Sequence, residues 1–170
     1  MAAAKPRADT TAKPRAPRAA AGRTATAADP LALLDGAAKD RFPASLYVEG
    51  PDEALKTAFL AELRRAWAVA VPEAPAAHVM HPGEDDVDSI LAAYHGISMF
   101  TPRELILVLE VEDLGKSEKR VAALAAGVAR PAGGSCIVLV ESLAENARKT
   151  REPLRTACAA RWVATKAVPR

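Results

Sequence analysis

The residues best suited to chemistry lie at positions 50–57, which read Gly-Pro-Asp-Glu-Ala-Leu-Lys-Thr. A loop of this spacing binds nucleotide phosphates when its sixth residue is glycine, because glycine lets the backbone amides wrap closely around the anion. Here Leu55 stands at that position, and Pro51 lacks one of the N–H groups that such a loop presents. The segment therefore predicts a degenerate phosphate-binding loop and no nucleotide cofactor. Its signature positions are Gly50, Leu55, Lys56 and Thr57.

The alternative is a working ATPase with an unusual leucine in its loop. Such an enzyme also needs an acidic residue, usually Asp, at the end of a buried strand to hold magnesium. The chain offers Glu110, Glu112 and Asp113 after an apolar run, but Val111 stands in the place of the catalytic base. Glu141 stands where an active ATPase tends to place a polar sensor residue, and a carboxylate has no N–H for a γ-phosphate. We therefore expect no ATP hydrolysis and weak or no nucleotide binding.

Two adjacent large apolar residues, Met99 and Phe100, lie between a predicted helix end at residues 95–96 and the Thr-Pro pair at 101–102. They belong to a connection and not to a periodic apolar face. Such a pair either packs into the core or is exposed for a partner. The residue types alone favour the core.

The histidines His78 and His81 lie near an acidic run at residues 84–88, an arrangement that suggests metal binding. Side chains three residues apart on a strand point to opposite faces, so these two histidines do not chelate one ion easily. We expect no metal site.

Basic residues recur three to four positions apart along a predicted helix near the end of the chain. A solvated face is the usual meaning of this pattern, and a contact with another subunit or with DNA phosphates is the alternative. The residues concerned are Arg148, Lys149, Arg151 and Arg155.

Short apolar runs alternate with amphipathic stretches from Pro30 onward, an order that predicts a parallel sheet with helices on both faces. We therefore expect an α/β domain with five parallel strands, in which ligands bind beyond the carboxyl ends of the strands. The predicted strands are 45–49, 77–81, 105–111, 136–140 and 161–164. The predicted helices begin at Pro30 and continue at 53–70, 117–129 and 144–159. A further helix is predicted to start at the acidic residues 84–86 and to carry Val87, Ile90, Leu91 and Tyr94.

The charge of the 170-residue chain is unevenly distributed, although its net value is only +2. Residues 1–29 hold six basic and two acidic residues, whereas the remainder holds 17 basic and 19 acidic ones. The basic stretch is rich in Ala and Pro and predicts a disordered tail, with an organellar transit peptide as the alternative. We expect one domain at residues 30–170. No apolar run is long enough for a membrane span, and the two cysteines suggest a reduced intracellular compartment, which we take to be the cytoplasm.

Three stretches of the predicted domain resemble the delta subunit of the bacterial DNA polymerase III clamp loader. Residues 46–55 resemble its opening strand and degenerate loop. Residues 97–108 resemble its short apolar-Phe segment, followed by Arg103 and a buried strand. Residues 133–140, followed by Asn-Ala-Arg-Lys at 146–149, resemble a third region. The likeness spans about residues 45–165, and it rests on the order and spacing of the stretches more than on any single motif.

The resemblance implies a P-loop domain of AAA+ type with a degenerate nucleotide site, and a role in DNA replication. Members of the family bind the ring-shaped sliding clamp and open it for loading onto primed DNA, as non-catalytic subunits of DNA polymerase III. An apolar-Phe pair of the family enters a pocket on the clamp, and the matching residues here are Met99 and Phe100, with Ser98 beside them. The implied partners are the sliding clamp, the other clamp-loader subunits and, through the complex, primed DNA.

The family continues into a helical lid and a collar domain, which we expect this chain to lack. Two alternatives remain open, a truncated protein and a divergent single-domain relative. A DNA-binding module that uses the basic tail and the basic helix is the remaining functional alternative.

Overall fold

The structure, a computed structural model, describes residues 27–96, 103–115, 117–142 and 148–165, with the backbone alone at 148–151. Its centre is a sheet of five parallel strands in the spatial order β2-β3-β4-β1-β5. The predicted α/β class and the five-stranded parallel sheet are thereby confirmed. The strands are β1 (Ser45–Glu49), β2 (His78–Met80), β3 (Leu105–Val108), β4 (Cys136–Val140) and β5 (Ala160–Val163).

Five α-helices connect the described strands or precede them, and four of these begin with a side-chain cap. The side chains of Asp29, Asp52, Asp86 and Ser117 each accept a backbone N–H from the first turn that follows. The helices are α1 (Pro30–Ala38), α2 (Glu53–Ala70), α3 (Val87–His95), α4 (Glu118–Val128) and α5 (Arg148–Ala157). None of the helices in the described part of the chain is long and apolar enough to cross a membrane.

The sheet separates two apolar cores, one on each face. Leu105 and Leu107 of β3 pack with α1 and α2, whereas Ile106 and Val108 of the same strand pack with α3, α4 and α5. Alternate residues of a strand point to opposite faces, so a strand covered on both sides must be apolar throughout. Helices on both faces, as predicted, therefore leave the ends of the strands as the place where the sheet carries polar side chains.

The third strand is shorter than the predicted range 105–111. Val108, its last residue, pairs with Met80 at the end of β2, and the N–H of Leu109 still donates to the carbonyl of Met80 at 3.0 Å. The edge strand β2 ends there. The chain then turns through Glu110, whose φ is 56°, into a 3-10 helix at Val111–Leu114. Val111 is apolar because it is buried in this helix and not because the strand continues.

Gly50 joins β1 to α2 at a point where the chain after β5 passes very close. Its φ is 111°, and a Cβ there would lie 2.7 Å from the nitrogen of Ala164 and closer still to its carbonyl oxygen. This approach is fixed by hydrogen bonds from the N–H of Ala164 to the carbonyl of Glu49 (2.6 Å) and from the N–H of Asp52 to the carbonyl of Ala164 (3.3 Å). Tertiary packing, as well as the turn, therefore requires glycine at this position.

We expect Gly50→Ala to lower the free energy of unfolding by at least about 3 kcal/mol, because it adds a backbone clash to the strain of a positive φ. Gly115→Ala is the matched control, since Gly115 has a φ of 65° and no atom of the described residues lies within 4 Å of its Cβ position. The control should cost about 1–2 kcal/mol. Urea unfolding at constant m-value measures both losses. Equal losses would show that the contact with Ala164 does not constrain the turn.

Candidate functional site

The loop after β1 uses its own side chains and amides to begin α2. The carboxylate of Asp52 accepts the N–H of Leu55 at 3.0 Å, and the carbonyl of Asp52 accepts the N–H of Lys56 at 3.0 Å. Asp52 and Glu53 place negative charge at this helix end, where the helix dipole favours an anion. The amides of Leu55 and Lys56 are thus already bonded within the chain.

The side chain of Lys56, which in a working loop would reach the phosphates, is turned into the protein. The residue is 1% exposed, and its ammonium donates to the Glu53 carboxylate and to the backbone carbonyl of Glu141, both at 2.6 Å. Glu141 directly follows β4, so the ammonium ties the start of α2 to the end of a strand in the middle of the sheet. Leu55 and Thr57, by contrast, are exposed.

A second group of charges lies at the same carboxyl edge of the sheet. Glu49, the last residue of β1, and Glu141 are buried, with exposed fractions of 6% and 9%. Arg155 of α5 reaches both: its Nη2 lies 2.5 Å from Glu49 Oε2 and 3.6 Å from Glu141 Oε2. Arg161 of β5 donates through Nε to the other carboxylate oxygen of Glu49. We call Glu49, Glu141, Arg155 and Arg161 the edge cluster.

Tyr47 of β1 adds a polar and an aromatic contact to the edge cluster. Its hydroxyl donates to Glu141 Oε2 at 2.8 Å, and its ring centroid lies 5.8 Å from the guanidinium carbon of Arg155. Burial by itself lowers the pKa of Arg155, but the neighbouring Glu49, Tyr47 and Glu141 outweigh that effect and raise the pKa above its ordinary value. Arg155 is therefore held in its charged form.

The three acidic residues that follow β3 have separate surroundings. The Glu110 carboxylate lies 3.3 Å from Nδ1 of His81, the Glu112 carboxylate accepts the N–H of Ser142 at 3.2 Å, and Asp113 lies beside Gly83. Within the described ranges, no three His, Cys, Asp or Glu residues are grouped so that they could hold a metal ion.

Several of the predicted site residues lie outside the part of the chain that the structure describes. For the basic helix, this applies to the side chains of Arg148, Lys149 and Arg151. For the apolar connection, it applies to Ser98, Met99 and Phe100, within residues 97–102.

The two ends of that apolar connection are fixed to the body of the domain. Before it, Nε2 of His95 lies 3.0 Å from the carbonyl oxygen of Gly127. After it, Arg103 forms an ion pair with Asp40, and its guanidinium carbon lies 5.2 Å from the centroid of the Trp67 ring. The described residues on both sides of 97–102 are therefore anchored to the domain.

Sequence reasoning missed the contribution of Glu49, Tyr47 and Arg161. A signal for Glu49 was present, because a carboxylate ending an otherwise apolar strand needs a partner if it is buried. The sequence does not identify that partner, because Arg155 and Arg161 lie 106 and 112 residues further along the chain. Arg155 does not belong to a solvated basic edge, because its side chain is only 14% exposed and faces the sheet.

Away from the carboxyl edge, a groove of about 400 Å³ lies between α1 and the C-terminal half of α2. Its floor is apolar, with Leu34 and Val69 among its lining residues, and its rim carries Asp40, Glu62 and Arg65. Glu62 and Arg65 pair with each other across one helical turn. This groove holds none of the residues that the sequence singled out for chemistry.

We expect Lys56→Met to lower the free energy of unfolding by about 1–3 kcal/mol, because it leaves the Glu141 carbonyl without its buried donor. Urea unfolding measures the loss. Glu53→Gln is the control, since its side chain is 54% exposed. The control should cost no more than about 1 kcal/mol. A loss in Lys56→Met no larger than that of the control would show that Lys56 is not a structural tether.

No family model matches the chain, and no curated protein matches it. Solved structures do match. The chain is 19% identical to the DNA clamp loader delta protein of Bacillus subtilis, with a TM-score of 0.57, covering 80% of this chain and 42% of that one. It is 17% identical to a DNA polymerase III gamma subunit-related protein of Thermotoga maritima, with a TM-score of 0.54, covering 81% of this chain and 47% of that one.

The chain thus spans less than half the length of each of these two proteins. At such low identity the likeness concerns the fold, and on that level it confirms what the sequence resemblance implied. This chain has the AAA+-like fold of clamp-loader proteins.

Proposed function

We propose that this chain is a clamp-loader delta-type component of the DNA replication machinery, which binds and opens the sliding clamp for loading onto primed DNA and does not hydrolyse ATP itself. The observation that carries the proposal is the position of Lys56 within a clamp-loader-like fold. Its ammonium is bound by the Glu53 carboxylate and the Glu141 carbonyl. In this proposal, the lysine that would bind a nucleotide phosphate in an ATPase instead stabilises the fold.

The electrostatics of the carboxyl edge support the absence of ATP hydrolysis. A nucleotide bound after β1 would bring several negative charges next to the carboxylates of Asp52, Glu53 and Glu49. Glu49 and Glu141 already neutralise Arg155, so this cation is not free to attract phosphates. The loop would have to lose its capping bond at Leu55, as well as both contacts of Lys56, before it could bind an anion.

Clamp binding is assigned to Met99 and Phe100, with Ser98 beside them. Two observations on the described residues support this assignment. The connection that carries the pair begins and ends at points anchored to Gly127 and to Asp40. Gly127 lies in α4 and Asp40 follows α1, so the two anchors belong to elements that cover opposite faces of the sheet. An apolar pair held between two fixed points is suited to enter a partner's pocket as an aromatic anchor.

DNA contact is the second candidate activity, favoured by the basic residues at 148–151 on α5 and by the basic tail. Arg155 contributes little to such a surface because its guanidinium is paired inside the domain. Any contact with DNA or with other loader subunits would then fall to Arg148, Lys149 and Arg151. We place this activity, and that of the whole complex, in the cytoplasm. The division into a tail at 1–29 and a domain at 30–170 remains part of the proposal.

Titration calorimetry with magnesium-ATP should show no saturable binding in the micromolar range, and a phosphate-release assay should show no hydrolysis. The physical reason is that the Leu55 amide and the Lys56 ammonium are bonded within the chain. Lys56→Ala is the comparison and should give the same heats. Micromolar binding by the unsubstituted chain that Lys56→Ala removes would favour the active ATPase instead.

The double variant Met99→Ala with Phe100→Ala should abolish binding to purified sliding clamp, a loss of at least about 30-fold, because a buried aromatic anchor contributes about 2–4 kcal/mol. Surface plasmon resonance against immobilised clamp measures the affinity. Leu31→Ala with Val69→Ala is the matched control, since these apolar residues are 73% and 80% exposed elsewhere on the domain. Unchanged clamp affinity in the Met99/Phe100 variant, with the fold intact, would reject the assignment.

A further inference from the structure

The helix α5 is held against the sheet by few apolar contacts. Of its residues with described side chains, 152–157, only Leu154 is fully buried, and Cys158 follows just beyond the helix. Pro153 lies inside the helix and removes one backbone hydrogen bond. Leu154 packs in the apolar core with α4, and the polar face of α5 needs a further interaction to fix it at the edge of the sheet.

We propose that the edge cluster is an internal lock, which holds α5 and β5 in one position at the carboxyl edge of the sheet without any bound ligand. Arg155 lies at the centre of the lock and bridges the ends of two adjacent strands, β1 through Glu49 and β4 through Glu141. Arg161 brings in β5 through the second oxygen of Glu49. Three strands and α5 thus meet at one set of charges.

The lock lies at the edge of the sheet where it can fix the position of α5. In a parallel sheet, this edge is where ligands bind and where their binding moves the surrounding elements. Here the charged side chains pair with one another, so ion pairs within the chain replace the contacts that a ligand would make. The arrangement of α5, which also bears the basic residues at 148–151, is therefore constant and does not follow a nucleotide.

The burial of these ion pairs makes the loss of one partner costly. The Glu49 and Arg155 side chains are 8% and 14% exposed, in contrast to the pair Arg65–Glu62 on the surface of α2, which is 78% and 50% exposed. Removing one member of a buried pair leaves a charge without a partner in a poorly solvated place. Removing one member of an exposed pair costs little, because water replaces the contact.

Hydrogen exchange measured by mass spectrometry on the full chain tests the lock, with Arg155→Met and Glu49→Gln as variants. In both, amides of residues 148–163 should exchange at least about 10-fold faster, because α5 opens locally, while residues 53–70 of α2 keep their rates within about twofold. Arg65→Met is the matched control and should change neither segment.

Unchanged exchange at residues 148–163 in Glu49→Gln would overturn the lock. Equal acceleration at residues 148–163 and 53–70 would also overturn it, because the edge cluster would then support the whole fold. Glu49→Gln preserves the shape of the side chain, so it decides the question if Arg155→Met does not fold. The inference is independent of the proposed function, since the measurement uses neither clamp nor nucleotide. Failure of the lock and failure of clamp binding are therefore distinguishable.

Discussion

A parallel sheet covered on both faces can carry charges only at the ends of its strands, and this constraint governs the rest of the domain. Glu49 and Glu141 stand at the carboxyl ends of β1 and β4 and are nearly inaccessible to water. Buried carboxylates are tolerated when cations and hydrogen-bond donors surround them. Arg155 of α5 and Arg161 of β5 supply the cations, and the Tyr47 hydroxyl of β1 supplies a hydrogen-bond donor.

The same edge also fixes the start of α2 through contacts within the chain. Lys56 remains in its place at the start of α2 and is still turned toward the end of β4. Its acceptors are a glutamate of the same helix and a backbone carbonyl, so its charge stabilises the junction between helix and sheet. Asp52 supplies the negative charge that the helix end favours.

At the opposite, amino-terminal ends of the strands, side-chain contacts anchor the chain on both sides of the apolar connection. There Arg103 packs on Trp67 and pairs with Asp40, which fixes the point at which the chain returns to β3 after the apolar connection. His95 fixes the departure from α3. In the proposed function, the rigid body built on two apolar cores serves to present the short segment between these points, and the locked carboxyl edge keeps that body in one shape.

The sequence by itself determined the elements of this protein. Alternation of apolar runs with amphipathic stretches predicts the strands β1 and β4, the helix α2 and the α/β class, because burial on one or two faces leaves a direct mark on residue type. The same reasoning overextended β3, because Val111 is apolar for burial in a 3-10 helix and pattern alone does not separate the two.

Only the tertiary structure decided how the charges pair. The sequence presents Lys56 as part of a degenerate phosphate-binding loop and Arg155 as one member of a basic edge, and both predictions rest on neighbours along the chain. Besides the local partners Glu53 and Glu152, each has a distant one: the Glu141 carbonyl for Lys56 and the Glu49 carboxylate for Arg155, 85 and 106 residues away in sequence. Such contacts depend on the order of strands in the sheet, which places β4 and β5 on either side of β1. Local sequence carries no record of that order, because each parallel connection is compatible with several neighbours.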